Sequence, residues 1–190
     1  MIKTNPAFGL LKQDHEKVKQ LFKQFEAASG RPAKKKIAMQ AIQELSIHAV
    51  IEEEIFYPAV RKAAGNTVTN EATEEHHAAK VMIAELSEMK GNETYFEAKF
   101  KVLAENVKRH IGEEETALFS IAQDTGINFQ DLFDRMTLRK GELQSDGVPE
   151  TAEAVMVSAM HGMGDSSAQA AEKAQRALKT RSAGGGGEQV

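Results

Sequence analysis

One histidine on a helix-like segment, followed on the next segment by His-x-x-x-Glu, is a unit that this chain of 190 residues contains twice. A shift of 61 positions lays His15 on His76 and carries Leu11, Val18, Leu21, Phe22 and Phe25 onto Ala72, Ala79, Met82, Ile83 and Leu86. A shift of 62 lays His48 on His110 and carries Glu52, Phe56 and Val60 onto Glu114, Leu118 and Ala122. At about 100° per residue, positions i and i+4 lie roughly 40° apart and one turn above each other. His48 with Glu52, and His110 with Glu114, therefore present an imidazole and a carboxylate to one point.

The segments around this unit read as helices. Asn5 is placed to cap a first helix with Pro6 in its first turn, where the missing N–H does no harm. Apolar residues from Leu11 to Phe25 recur at i, i+3, i+4 and i+7 until Gly30 and Pro32. A second helix is expected from Ala33 to Ala64, with Pro58 kinking it or loosening its last turns. A third runs from Thr69-Asn70 to Gly91, its early glutamates placed at the positive end of the dipole. The fourth starts at Asn92 to Thr94 and continues to Ala122, and a shorter fifth spans Asn128 to Leu143. Four long helices with short connections predict an all-α, up-down-up-down antiparallel four-helix bundle.

His15 and His76 fall at the edges of the apolar stripes of their helices. His77 is rotated a further 100° toward solvent, so of this pair His76 is expected inside. Glu53, Glu54, Glu113 and Glu115 are expected to face solvent or pair with basic residues, with Glu115 as the substitute should Glu114 not point inward. Tyr57 falls about 180° from His48 by helix phase and is assigned to packing unless Pro58 rotates that turn. Inward histidines and carboxylates cost much free energy when left unpaired in an apolar core, and become favourable around a cation. A lone His-x-x-x-Glu is a common surface pairing, but two copies in matching phase are not. His15, His48, Glu52, His76, His110 and Glu114 are thus the expected metal ligands. Imidazole with carboxylate, without sulfur, suits iron or manganese. Six ligands are too many for one tetrahedral zinc and natural for two metals bridged by carboxylates.

The combination resembles the hemerythrin-like family with HHE-type cation-binding repeats. The resemblance is carried by Asp14-His15-Glu16, His48 to Glu54 followed by Phe56-Tyr57-Pro58, Glu75-His76-His77, and His110 to Glu114. It implies two iron ions with an oxo or hydroxo bridge, His15, His48, His76 and His110 as terminal ligands, and Glu52 and Glu114 as bridges. It also implies small ligands: dioxygen, hydrogen peroxide or nitric oxide. Hemerythrin itself offers His-x-x-x-His on the third helix, where this chain has Lys80 four residues after His76. It offers His-x-x-x-x-Asp on the fourth, a spacing that Glu115 keeps and Glu114 shortens. A site with fewer histidines fits an oxidoreductase consuming peroxide or nitric oxide, with catalase- or peroxidase-like activity, ahead of a reversible carrier or sensor. An iron-buffering module is the non-catalytic alternative. No catalytic residue beyond the metal ligands is expected.

A net charge of −4 gives no electrostatic argument for nucleic acid or an anionic membrane, so neither is expected as a partner. The Lys34-Lys35-Lys36 run reads as a solvated helix start. The absence of cysteine excludes thiolate metal sites and fits a reducing compartment. With no bilayer-spanning apolar run and no signal-like N-terminus, the expected location is the cytoplasm. Residues 1–145 are expected to form the bundle. Residues 146–190, rich in Ala, Ser, Gly, Met and Gln, are expected to be a low-complexity tail, mobile or weakly docked, with a weak helical tendency over 168–180.

Overall fold

A computed structural model describes residues 5–161. Helix α1 spans Pro6–Ala27, and Asn5 Oδ1 accepts from the backbone N–H groups of Ala7 and Phe8 at 3.1 and 3.3 Å. The expected cap and first-turn proline are both in place. The second rod consists of α2 (Arg31–Ile51), a π-turn over Glu52–Phe56, and α3 (Tyr57–Ala64). A 3-10 turn at Asn66–Thr69 leads into α4 (Asn70–Glu88). Arg61 of α3 fastens this corner through the hydroxyls of Thr69 and Thr73. The fourth rod repeats the second: α5 (Phe96–Glu113), a π-turn over Glu114–Leu118, then α6 (Phe119–Gln123). Asn128 caps α7 (Phe129–Asp146) by accepting from Gln130 and Asp131.

The bundle is all-α with antiparallel neighbours, as the short connections predict. Its core comes in two layers. One gathers Phe8, Leu11, Ile51, Phe56, Leu118 and Phe119 under Leu132 and Met136 of α7. The other gathers Val18, Phe22, Phe25, Leu86, Phe96, Phe100 and Val107. Each fully buried phenylalanine contributes roughly 1.5–3 kcal/mol by leaving water. Between the layers lies a polar level made of His15, His48, Glu52, His76, His110 and Glu114, all buried. The two apolar layers hold this level away from solvent on both sides.

The lysine run at the start of α2 does more than meet solvent. Lys35 Nζ donates to the Leu86 and Met89 carbonyls at 3.0 and 2.5 Å, tying down the open C-terminal end of α4. Lys34 reaches Glu97 at 2.5 Å and lies over the Phe25 ring. The Lys35 stem passes so near Gly91 that a Cβ there would sit 2.9 Å from it, and Gly91 also holds φ +88°. Only glycine suits both demands.

Residues 152–161 are helical, with Glu153 and Val157 buried against the bundle. This part of the tail is thus docked, with Val157 buried and Glu153 paired with His77 and Lys80 of α4. The helical tendency read over 168–180 lies outside the described residues. No helix among the described residues is long and apolar enough to cross a membrane.

Candidate metal centre

Each π-turn begins at the glutamate of a His-x-x-x-Glu unit, Glu52 in one rod and Glu114 in the other. The two turns obey the same 62-residue shift as the histidines. Such a turn adds one residue to the helical path, and everything after it lags by roughly 100°. Pro58 cannot be the general cause, since the second copy has no proline there. The rotation corrects the expectation for Tyr57. Instead of merely packing outside the site, its Oη lies 3.2 Å from His76 Nε2 and donates to Glu52 Oε2 at 3.4 Å. Burial first, then the Glu52 and Glu114 carboxylates, hold the phenol well above its usual range, so it keeps its proton. Tyr57→Phe is expected to leave the fold intact, since the ring volume is kept, and to cost about 1–2 kcal/mol in denaturant unfolding.

The four histidines turn Nε2 inward. His15 and His48 bring these atoms within 3.1 Å of each other, and His76 and His110 within 3.2 Å. Glu52 Oε1 stands 3.1 Å from His48 Nε2, Glu52 Oε2 3.3 Å from His76 Nε2, and Glu114 Oε2 3.2 Å from His15 Nε2. These contacts are close, yet Glu52 Oε1 and both Glu114 oxygens lack a hydrogen-bond partner among the described residues. Lone pairs crowding without hydrogen bonds in a buried level are costly, unless they share a cation. His15, His48, Glu52 and Glu114 could hold one ion, and Glu52, His76 and His110 a second, with Glu52 common to both. His77 points away, half exposed, toward Glu153, so the structure brings in His76 of that pair. His161 lies apart, paired with Glu88.

The outward nitrogens form a ring that sequence reasoning missed. His15 Nδ1 faces Glu115 at 2.8 Å, His76 Nδ1 faces Glu53 at 3.0 Å, and His110 Nδ1 faces Glu75 at 2.9 Å. His48 Nδ1 faces Asp14 at 3.7 Å, too long for a direct hydrogen bond. An acceptor on Nδ1 fixes the tautomer that leaves Nε2 free to ligate. Behind each carboxylate stands a cation: Lys19 at Glu115 (3.7 Å), Lys80 at Glu53 (3.0 Å), Arg109 at Glu75 and Lys140 of α7 at Asp14. Glu53 and Glu115 do pair with basic residues as expected, but each also holds an imidazole. Glu54 pairs with Arg139, and Glu113 approaches Arg109. The signal was present in the repeat. Asp14 maps onto Glu75 and Lys19 onto Lys80 by the 61-residue shift, and Glu53 maps onto Glu115 by the 62-residue shift. Lys80, which stands where a fifth histidine was looked for, is the internal counterpart of Lys19.

Without an ion, the electrostatics divide the two glutamates. Burial raises Glu114 first, and the neighbouring Glu52 charge raises it further, to well above the carboxylate range. Burial also acts to raise Glu52, but the facing His48 outweighs it and holds Glu52 well below that range. Burial acts to lower His48, yet Glu52 and Asp14 lift it to about 10. Burial, then His48, lowers His15 to about 4. The metal-free site therefore holds protons at His48 and at Glu114 more tightly than free side chains do. Loading an ion is expected to release them, read with an indicator dye in weakly buffered solution. The same His48 shift gives a sign for stability. Its contribution to the metal-free fold is complete below pH 6.5 and is lost as pH rises through about 10. Denaturant titrations in chelator across that window check it.

A chamber of roughly 300 Å³ adjoins the four histidines, walled by Val18, Leu45, Ala79, Ile83, Val107 and Ile111. A small uncharged molecule meets mostly apolar surface there.

The chain is similar to known proteins. A family model described as the hemerythrin HHE cation binding domain matches residues 7–122. A protein of Nostoc sp. named as a DNA nickase is 28% identical over 111 residues, 58% of this chain and 32% of its own. An uncharacterised hemerythrin-like protein of Schizosaccharomyces pombe is 28% identical over 106 residues, 54% of this chain and 52% of its own. The chain thus spans about a third and about half of these relatives' lengths. The crystal structure of a hemerythrin HHE cation binding domain-containing protein from Mycobacterium kansasii superposes with a TM-score of 0.61 at 21% identity. That match covers 82% of this chain and 99% of the other, and is a likeness of fold.

Proposed function

The chain belongs to the hemerythrin HHE cation-binding domain family, and from that premise we propose that it is a non-haem di-iron protein acting on small ligands. The observation that carries the reading is the buried convergence of four Nε2 atoms with Glu52 and Glu114, of which Glu52 Oε1 and both Glu114 oxygens have no hydrogen-bond partner among the described residues. His15 and His48 would hold one iron, His76 and His110 the other, with Glu52 between them and Glu114 beside the first. Bound iron would supply electrons and open coordination positions for dioxygen, hydrogen peroxide or nitric oxide. The protein's part is to present the ligands, exclude water with the two apolar layers, and keep a proton at Tyr57 Oη beside Glu52.

Turnover of peroxide or nitric oxide is favoured over reversible carriage. Lys80 is engaged by Glu53 at 3.0 Å and offers no ligand inward. Each iron then has only two histidines, which leaves both open to exchange. The name of the Nostoc relative describes that protein, of which this chain matches a minor part.

The test is to load the full chain with ferrous iron anaerobically, count the metal, and add dioxygen, peroxide and nitric oxide separately. Peroxide consumption that disappears in His110→Ala is the expected result. A stable oxygen adduct released under vacuum would favour the carrier. Less than one iron per chain would sink the di-iron reading itself.

A further inference from the structure

The internal two-fold gives both halves of the site the same outer chain, His15–Glu115–Lys19 and His76–Glu53–Lys80. The halves differ at the lysine. Lys19 turns back to Glu16 of its own helix at 3.0 Å. Lys80 instead lies 3.8 Å from Glu153, which belongs to the helical segment 152–161. Glu153 Oε1 also meets His77 Nδ1 at 2.8 Å, so one carboxylate grips two successive turns of α4. It is buried, and Val157 one turn later is buried beneath the same segment. A second cavity, of roughly 330 Å³, lies between the segment, α2 and α4. Ala49, Lys80 and Ile83 border both this cavity and the chamber at the histidines. Lys80 therefore stands in the wall between the metal level and the docked segment. Glu153 lies beyond the residues matched by the family model.

We propose that segment 152–161 is a working part of the site: its docking through Glu153 and occupation of the His76–His110 half favour one another, with Lys80 as the positioning residue between them. This rests on the di-iron reading. An ion on His76 Nε2 fixes the imidazole ring, which sets Nδ1 on Glu53, and Glu53 then pins Lys80. A pinned Lys80 beside His77 is a preformed seat for Glu153, so docking costs less ordering entropy. By linkage, the docked segment strengthens ion binding by the same factor. The His15–His48 half lacks this contact and serves as a control within the same molecule.

The experiment uses the full chain and ferrous iron added anaerobically. It measures both binding steps by chelator competition, and hydrogen exchange at the amides of 152–161. Iron is expected to slow that exchange about five-fold, the low end of ordinary coupling. Glu153→Gln should abolish the slowing and weaken one binding step about five-fold while leaving the other unchanged. Lys80→Gln should uncouple in the same way, whereas Lys19→Gln should leave the iron response of 152–161 intact. Lys80→Arg, which keeps the charge, should preserve the coupling. Exchange at 152–161 that ignores iron in a chain binding two ions overturns the inference alone. So does a Glu153→Gln chain that weakens both steps alike. A natural chain that takes up no iron overturns the functional reading, and this inference with it.

Discussion

On the di-iron reading, Glu52→Ala is expected to leave the purified protein without either iron, whereas Glu114→Ala keeps one. The asymmetry follows from position. Glu52 is the one carboxylate shared by both groups of ligand atoms, with one oxygen toward His48 and the other toward His76. Glu114 joins only the group that contains His15 and His48. Partners behind a ligating histidine are worth about 10–100-fold in metal affinity, and loss of a ligand itself costs at least the upper end of that range. At Glu52 the loss falls on both ions at once. A colorimetric iron count after desalting reads the outcome. A Glu52→Ala protein that retains its full iron would mean that Glu52 is packed beside the metals without bridging them.

Stripping the metal with a chelator is expected to lower the melting temperature by roughly 8–16 °C. An ion held at 1,000 times its dissociation constant stabilises the fold by about 4 kcal/mol, and a domain of this size gains about 2–4 °C per kcal/mol. The structural ground is the polar level itself. Asp14 Oδ2, His48 Nδ1, Glu52 Oε1 and both Glu114 oxygens are buried without hydrogen-bond partners among the described residues. Each such atom costs about 1–3 kcal/mol unless something satisfies it. Glu114→Gln provides the control. Burial and the Glu52 charge raise Glu114 well above the usual carboxylate range, and glutamine imitates its protonated form. The variant should melt with the metal-free protein in chelator and regain, on adding iron, only what an ion at Glu52, His76 and His110 supplies. An equal gain in both proteins would show that the stabilising ion binds somewhere other than at Glu114.

The helices and the six inward side chains were legible because they rest on local physics. Asn5 before Pro6 and Asn128 before Phe129 announce their helices by cap chemistry, and His48, Glu52, His110 and Glu114 announce theirs by spacing. Tyr57 was misplaced because a π-turn leaves no mark on the residues that form it. The phase of Tyr57 changed by one residue's rotation with nothing in Glu52–Phe56 to signal it. Lys35 was read as solvated because its partners, the carbonyls of Leu86 and Met89, lie more than fifty positions away and are peptide groups. Asp14, Glu53, Glu75 and Glu115 fall between these cases. Their contacts are tertiary, but their places were set by the same two shifts as the histidines. Extending the repeat from ligands to their neighbours would have found them. Glu153 could not be found that way, since it has no counterpart in the repeat.

The ring of imidazoles and carboxylates has a direction. His15 on the first rod leans on Glu115 of the fourth, His110 of the fourth on Glu75 of the third, His76 of the third on Glu53 of the second, and His48 of the second faces Asp14 of the first. Followed once around, the circuit visits every rod and returns to its origin after the same pair of steps taken twice. A single unit of the repeat is therefore an open arc. It can face His48 with its own Asp14, but its His15 is left reaching for a residue in the place of Glu53 on another copy. A half-length chain cut in the turn at Gly65 has one way to close the circuit, which is to find its own twin. The 190-residue chain carries that twin with it, and so completes within one chain what a half would complete only as a pair.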